Sequence, residues 1–413
     1  MIALADCNNF YVSCERVFNP KLKNRPVLVL SNNDGRIIAR SNEAKKLGFK
    51  MGEPVFKKKE IIKKNKVNIY STNFSLYGDM SNRVMSILAD ELQQIEIYSI
   101  DEAFLKLNGI EKKEDYALKI KQKIHKYTGI PISIGIGKTK TLAKIANTIA
   151  KQTNKGVYCI KSIAQTEKIL KKTNVCKIWG IGKNISRQLY SFNIYTAEQF
   201  RKKDSRWIKK KLSITMLKTQ EELNGQQRFI LQTRPDKKKN ICTSRTFYNE
   251  IKSIDDLEKQ IATYAMNCAK KLRKQKSSAR AITVFIQTNR FKKQQRNFSK
   301  SIFFETPTND SLEIVKNAIE LLLAIYDSGF QYKRAGVVVN KIIPTEKNQI
   351  NVFDPIDREK RKKLMEAVDK INEKTGKNKI KIGTEGRLNN WRIKQQNLSP
   401  CYTTRWCDII EVG

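Results

Sequence analysis

The chain has 413 residues, 81 of them Lys or Arg and 40 Asp or Glu, for a formal net charge of +41. A field of that size calls for a polyanionic partner, with nucleic acid favoured over a ribosomal or membrane-surface role. At about 100 to 200 residues per domain the length is two to four domains, and a 40% hydrophobic content supplies real cores, which excludes a simple basic tail.

In chain order, the apolar run Ile2 to Ala5 predicts a short strand that hands over to Asp6 in DCNNFYVSCE. Residues 26 to 30 (PVLVL) and 37 to 40 (IIAR) read as strands, and Ser41 to Leu47 as a brief helix stopped by Gly48. From Ser75 to Gln94, Leu76, Met80, Val84, Ile87, Leu88 and Leu92 recur at helical spacing, so one face packs inward. Residues 96 to 107 (EIYSIDEAFLKL) read as two strands with Asp101 and Glu102 between them. A helix near 113 to 127, a strand at 132 to 136, a basic helix from Thr139 to Lys151 and a strand from Val157 to Ile160 follow. That order is an α+β sheet backed by helices, with residues 10 to 70 inserted in it.

From about residue 166 to 232 the pattern is helical, and Pro235 with Lys237 to Lys239 marks a linker. Strands near 241 to 248, 280 to 288, 296 to 304 and 334 to 342 then alternate with helices near 253 to 275 and 310 to 326, a βαββαβ order of ferredoxin-like pattern. Beyond Pro344 the chain is lysine-rich, and partial disorder is expected apart from a helix around 357 to 373.

Eight cysteines stand at 7, 14, 159, 176, 242, 268, 401 and 407 without a C-x-x-C pair, and His125 is the single histidine, so no zinc site is legible. A bridge or metal at Cys401 and Cys407 is the alternative to free thiols, but without a signal peptide reduced thiols and a cytoplasmic location are expected. No apolar stretch approaches the roughly 18 residues of a membrane span, so no membrane partner is expected.

Asp6, Asp101 and Glu102 come from separate strands that can meet at one end of a sheet. Three acids there repel unless cations arrive, and two Mg²⁺ would neutralise them and hold triphosphate oxygens as well. The alternative is that strand-end acids are solvated turn residues. In KIWGIGKNISRQL (177 to 189), Gly180 and Gly182 lie between helical segments in the manner of a helix-hairpin-helix, where backbone N–H groups can approach a DNA phosphate; an ordinary glycine turn is the alternative.

Several blocks together resemble the Y-family of DNA polymerases, in particular its UmuC-like branch. They are ADCNNFYVSCE (5 to 15), IARSNEAKKLGFKMGEP (38 to 54), YGDMSNRVM (77 to 85), YSIDEAFLKL (98 to 107), LAKIANTIAK (142 to 151) and LSPCYTTRW (398 to 406). The resemblance implies a right-hand polymerase of α+β class. Its parts would be a ferredoxin-like palm (1–9 and 71–165), a small fingers insertion (10–70), a helical thumb with the helix-hairpin-helix (166–232), a βαββαβ little finger (240–343) and a C-terminal partner-binding tail (344–413). It implies error-prone translesion synthesis in the bacterial SOS response, on primer-template DNA with dNTP and two Mg²⁺.

By the same resemblance Asp6, Asp101 and Glu102 are the catalytic metal-binding acids, and the Cys7 carbonyl adds an oxygen ligand. Asn8 departs from relatives that carry an acid there. Tyr11 matches the steric gate that collides with a 2′-hydroxyl, beside Phe10, which also reads as a core aromatic. Lys45 and Lys151 are the triphosphate candidates, as point charges on phosphate oxygens, and Lys144 lies two turns before Lys151 on the same face. Gly180, Gly182 and Lys183 would grip duplex backbone, as would the little-finger residues Arg245, Arg280, Arg290, Lys292, Lys293, Arg296 and Lys300. Gln349-Ile350-Asn351-Val352-Phe353 resembles a clamp-binding pentapeptide in which Gln349, Val352 and Phe353 make the contacts; an edge strand packing Val352 and Phe353 on the domain is the alternative. A UmuD-type dimer and RecA are implied as further partners. Two rivals stay open on the residues alone: a nucleotide cyclase built on a similar sheet, and a catalytically silent DNA-binding scaffold.

Overall fold

The first strand, β1 (Ile2–Cys7), is buried along its whole length, and that double-sided burial explains why its sequence is an unbroken apolar run up to Asp6. The structure, a computed structural model, describes residues 1–413 except 293, 350, 352–353, 376–378, 387–393 and 412–413. The chain divides into two compact units, 1–235 with 395–413, and 236–394.

In the first unit β2 (Val27–Leu30), β3 (Ile37–Arg40) and β4 (Asn68–Ser71) make a small three-stranded sheet in the order β3-β2-β4. Strands β5 (Ile95–Ile97), β6 (Glu102–Lys106), β7 (Ile132–Gly137) and β8 (Val157–Cys159) join β1 in a five-stranded sheet ordered β5-β6-β1-β7-β8. Its first four strands are antiparallel to their neighbours, and β8 runs parallel to β7. Counted as β1, β5, β6 and β7, this is the split βαβ arrangement of a ferredoxin-like sheet. Helices Phe74–Glu91 and Lys113–Thr128 bury Leu76, Val84, Leu88, Ile120 and Ile124 against one face of it.

Helix Lys140–Ala150 covers the other face, where Leu4 and Phe104 meet Ala143. The contact is unusually close because β7 is glycine-rich. A Cβ at Gly135 would lie 2.0 Å from the Asn147 amide nitrogen, and one at Gly137 would lie 2.8 Å from that of Ala143. Both would collide with backbone, so glycine at these positions lets helix and strand touch main chain to main chain.

A third core in this unit gathers Leu170, Leu189, Phe200, Ile208 and Met216 from helices Ile163–Lys172, Lys183–Ser191, Ala197–Lys202, Ser205–Lys211 and Ile214–Leu223, with Val175, Ile178 and Ile181 from the segment between the first two. The stretch read as one tail from 344 onward contributes to both units. Helix Arg358–Lys374 lies in the second, and residues 395–411 lie in the first.

The second unit has β9 (Ile241–Ile251), β10 (Ser277–Thr288), β11 (Asn297–Thr308) and β12 (Tyr332–Pro344), interleaved with helices Ile254–Lys274 and Ser311–Leu323. The element order is βαββαβ, but the sheet order is β11-β10-β12-β9, antiparallel throughout. The ferredoxin-like arrangement expected here therefore differs in which strands are central: the second and fourth occupy the middle, and the first and third the edges. Each helix still crosses over one intervening strand, and the order of elements alone does not decide between the two solutions. Among the described residues no helix is long and apolar enough to cross a membrane.

Candidate active site

Asp6 and Glu102 are direct cross-strand partners in the β1–β6 ladder, so their side chains emerge on the same face. Asp101 sits one residue earlier, at the bend into β6, and its carbonyl accepts the Cys7 amide at 2.9 Å. The Ser99 hydroxyl donates to Asp101 Oδ1 at 2.6 Å and accepts the Glu102 amide at 3.1 Å, which fixes the turn carrying both acids.

Helix Lys140–Ala150 lays a row of ammonium groups over three adjacent strands. Lys140 Nζ lies 2.5 Å from Glu96 on β5, Lys144 Nζ 3.0 Å from Glu102 on β6, and Lys151 Nζ, just past the helix end, 2.7 Å from Asp6 on β1. Positions 140, 144 and 151 share a helical face, and the glycine contact beneath brings that face within reach. Lys144 is further held over the rings of Tyr98 (4.6 Å) and Trp179 (5.6 Å). The Asp6 carboxyl is raised to about 6, chiefly by burial and further by Glu102, with Lys151 opposing the rise.

Phe10 is 3% exposed and belongs to the core, whereas the half-buried Tyr11 ring lies on Tyr77 at 4.5 Å and 14°. Burial raises the Tyr11 hydroxyl, and the charge of Asp101 raises it further. Lys45 Nζ donates to Asn9 Oδ1 at 2.6 Å, and Asn9 itself holds φ 47, a left-handed conformation Asn tolerates. Partial burial lowers the Lys45 ammonium, as do the neighbouring charges of Arg40 and Lys151, while Asp6 opposes them. Lys45, Lys151 and Arg40 thus form an electropositive rim beside Asp6.

Residues 5–148 match the impB/mucB/samB family, residues 238–352 match its C-terminal domain, and residues 362–412 match a domain of unknown function. Protein SamB of Salmonella typhimurium is 39% identical over 419 residues, covering 99% of this chain and 99% of that protein. Protein UmuC of Salmonella typhimurium strain LT2 is 37% identical over 421 residues, covering 100% of both. A solved Y-family DNA polymerase chimera shares 25% identity and a TM-score of 0.66, covering 83% of this chain and 99% of that one. This chain belongs to the UmuC-like branch of the Y-family DNA polymerases.

The family works on DNA and nucleotide with divalent metal. In this polymerase no group of three or more carboxylates, thiols or imidazoles among the described residues is gathered tightly enough to hold an ion. Asp6 and Glu102 are turned to lysines and Asp101 to Ser99. The donors nevertheless fit a hard cation: they are carboxylate oxygens, and they already attract two ammonium groups that a cation would replace. Asn8 is engaged elsewhere, its Oδ1 accepting from the Ser133 hydroxyl at 2.9 Å and its carbonyl from Ser13.

The remaining candidates fall in the helical part of the first unit and in the second unit. Gly180 (φ 88) occupies the turn between the short 3-10 segment Val175–Lys177 and helix Lys183–Ser191, where Gly182 is the N-cap and Lys183 the exposed first residue. In the second unit of the polymerase Arg245 is exposed on edge strand β9, and Arg290 lies in the turn after β10 with its guanidinium 4.9 Å from the Phe291 ring. Arg280, Lys292, Arg296 and Lys300 are exposed, and Lys292 pairs with Glu250 at 2.6 Å. Lys293, Ile350, Val352 and Phe353 lie outside the described residues, while Gln349 is exposed.

Sequence reading did not single out Arg40, Ser99, Tyr77 or Glu15. Arg40 sits inside the block IARSNEAKK without any spacing that separates it from other basic residues. Glu15 did carry a signal, since it interrupts the apolar side of FYVSCERVF and is 2% exposed.

Proposed function

We propose that this polymerase carries out error-prone, template-directed translesion synthesis in the bacterial SOS response, transferring a nucleotide from dNTP to a primer 3′-hydroxyl with two Mg²⁺. The observation that carries the reading is the cross-strand pair Asp6–Glu102 with Asp101 beside it, faced by Lys151 and Lys144. Asp6, Asp101, Glu102 and the Cys7 carbonyl would hold the ions. When bound, they supply acidification of the 3′-hydroxyl and neutralisation of the departing pyrophosphate.

The chain's own residues do the rest. Lys45 and Lys151 offer point charges to the triphosphate, and Lys151 can turn to it only by leaving Asp6. Tyr11 closes the site under the sugar and collides with a 2′-hydroxyl. Gly180, Gly182 and Lys183 in the thumb, and Arg245 and Arg290 in the little finger, grip phosphate without reading sequence. We take the divisions as palm 1–9 and 71–165, fingers 10–70, thumb 166–232, little finger 240–343 and a partner-binding tail from 344 to 413. Primer extension on a template with a single abasic site tests the reading: synthesis past the lesion with Mg²⁺ is expected, and failure to add any nucleotide, with or without accessory proteins, overturns it.

Sliding clamp, UmuD-type dimer and RecA complete the proposed partners. A weak electrostatic hold on DNA dissociates readily, and a tether to a ring raises the effective concentration at the primer end. Replacing Gln349, Val352 and Phe353 together by alanine is expected to abolish clamp binding and shorten synthesis tracts while sparing single-nucleotide insertion. Undiminished clamp binding in pull-down with the folded triple variant would remove the pentapeptide from that role.

A further inference from the structure

The C-terminal segment from Gln395 to Tyr402 runs along the start of helix Phe74–Glu91 and the end of β4, all within the first unit. The Ser71 amide donates to the Asn397 carbonyl at 2.8 Å, and the Asn397 amide donates in turn to Ser71 Oγ at 3.0 Å. The Gln395 amide donates to the Thr72 carbonyl at 2.8 Å. Asn73 caps the helix by accepting the Leu76 amide at 3.1 Å, while its own amide lies 2.9 Å from the Ser399 carbonyl and 3.1 Å from that of Pro400. Tyr402 stacks on Phe18 at 4.8 Å and 11°. Asn73 and Ser399 are buried, so the segment is built into the domain and not laid on its surface.

From there a chain of contacts leads to Tyr11. Ser399 Oγ donates to Glu15 Oε1 at 3.0 Å, and the Tyr77 hydroxyl donates to the same oxygen at 2.6 Å. Glu15 follows Tyr11 by one helical turn, so both face Tyr77, whose ring carries the Tyr11 ring while its hydroxyl holds the acid. Among the described residues Glu15 has no ion-pair partner, and two hydroxyls secure it in an apolar setting. Removing the Ser399 hydroxyl leaves a buried acid under-satisfied, with the Tyr77 hydroxyl as its remaining hydrogen-bond donor and drawn with it if it shifts.

We propose that residues 395–402, which end inside the stretch matching a domain of unknown function, form a strut that positions Tyr11 through Ser399, Glu15 and Tyr77. The C-terminal segment thereby sharpens the choice of sugar at the nucleotide site. This rests on the reading of Tyr11 as the steric gate, and Ser399 and Glu15 are positioning residues that touch no substrate.

The full-length protein carrying 3-fluorotyrosine at position 11 provides the test, with Ser399→Ala, Ser399→Thr and Glu15→Gln compared with Tyr11→Ala in unlabelled protein. Ser399→Ala is expected to shift the fluorine resonance and to lower the preference for deoxyribonucleotides over ribonucleotides by about threefold to tenfold, the size of one net hydrogen bond. Ser399→Thr restores both readings, which a loss of melting temperature alone would not require. An unmoved resonance in both Ser399→Ala and Glu15→Gln overturns the strut, as does unchanged sugar preference in both while Tyr11→Ala abolishes it. A moved resonance combined with undiminished sugar preference in Tyr11→Ala supports the mechanical link and overturns the gate reading instead.

Discussion

Asp101→Asn is expected to lower single-turnover nucleotide addition by on the order of a thousandfold or more, the rate equivalent of several kcal/mol of charge stabilisation at the transition state. The substitution isolates the charge. Asp101 Oδ1 accepts from Ser99 at 2.6 Å, and an asparagine carbonyl can still accept that bond, more weakly, while Ser99 continues to accept the Glu102 amide, so the turn stays in place. The lysine pairs on Asp6 and Glu102 are untouched. DNA binding should therefore remain at its original affinity, with the same steep decline as salt rises that a chain of net charge +41 displays against phosphate. Rapid-quench incorporation beside a salt titration of binding checks both halves; retained extension would remove Asp101 from the metal site.

Tyr11→Ala is expected to admit ribonucleotides, raising their incorporation relative to deoxyribonucleotides by about tenfold to a hundredfold, the range set by relieving one steric overlap. The ring rests on Tyr77 and meets Phe74 edge-on at 6.4 Å, so its loss also forfeits aromatic packing worth about 1 kcal/mol. Tyr11→Phe separates the two contributions. It keeps the ring and the stack, and should preserve exclusion if overlap with the sugar is the cause. Single-nucleotide incorporation with matched ribo and deoxy substrates reads the ratio, and a ratio unchanged in the alanine variant would take the gate away from Tyr11.

The sheets were legible in the sequence because their strands advertise themselves chemically. IALAD is apolar on both faces and ends in an acid, and the bend in YSIDEAF puts two more acids at the edge of the next strand; the ladder then sets Asp6 opposite Glu102. The order of strands in the second unit was not legible, since βαββαβ fits two antiparallel solutions and the choice lies in packing between residues far apart in the chain. That Lys144 and Lys151, read in the sequence as contacts for phosphate, pair with Glu102 and Asp6 was not legible, for a different reason: the pairing depends on Glu102 lying beneath Lys144 and on aromatic rings from two further segments around it. Nor does any local pattern show that Ser399 bonds to Glu15, 384 positions earlier.

The bare-backbone contact at Gly135 and Gly137 has a mechanical meaning for the carboxylates above it. An interface filled by side chains breathes as rotamers change, but one made of touching main chains is close to incompressible, and it fixes the height of helix Lys140–Ala150 over the strands. Any movement of the ammonium groups away from Asp6 and Glu102 must then come from the methylene stems of Lys144 and Lys151, whose heads swing while their anchorage stays still.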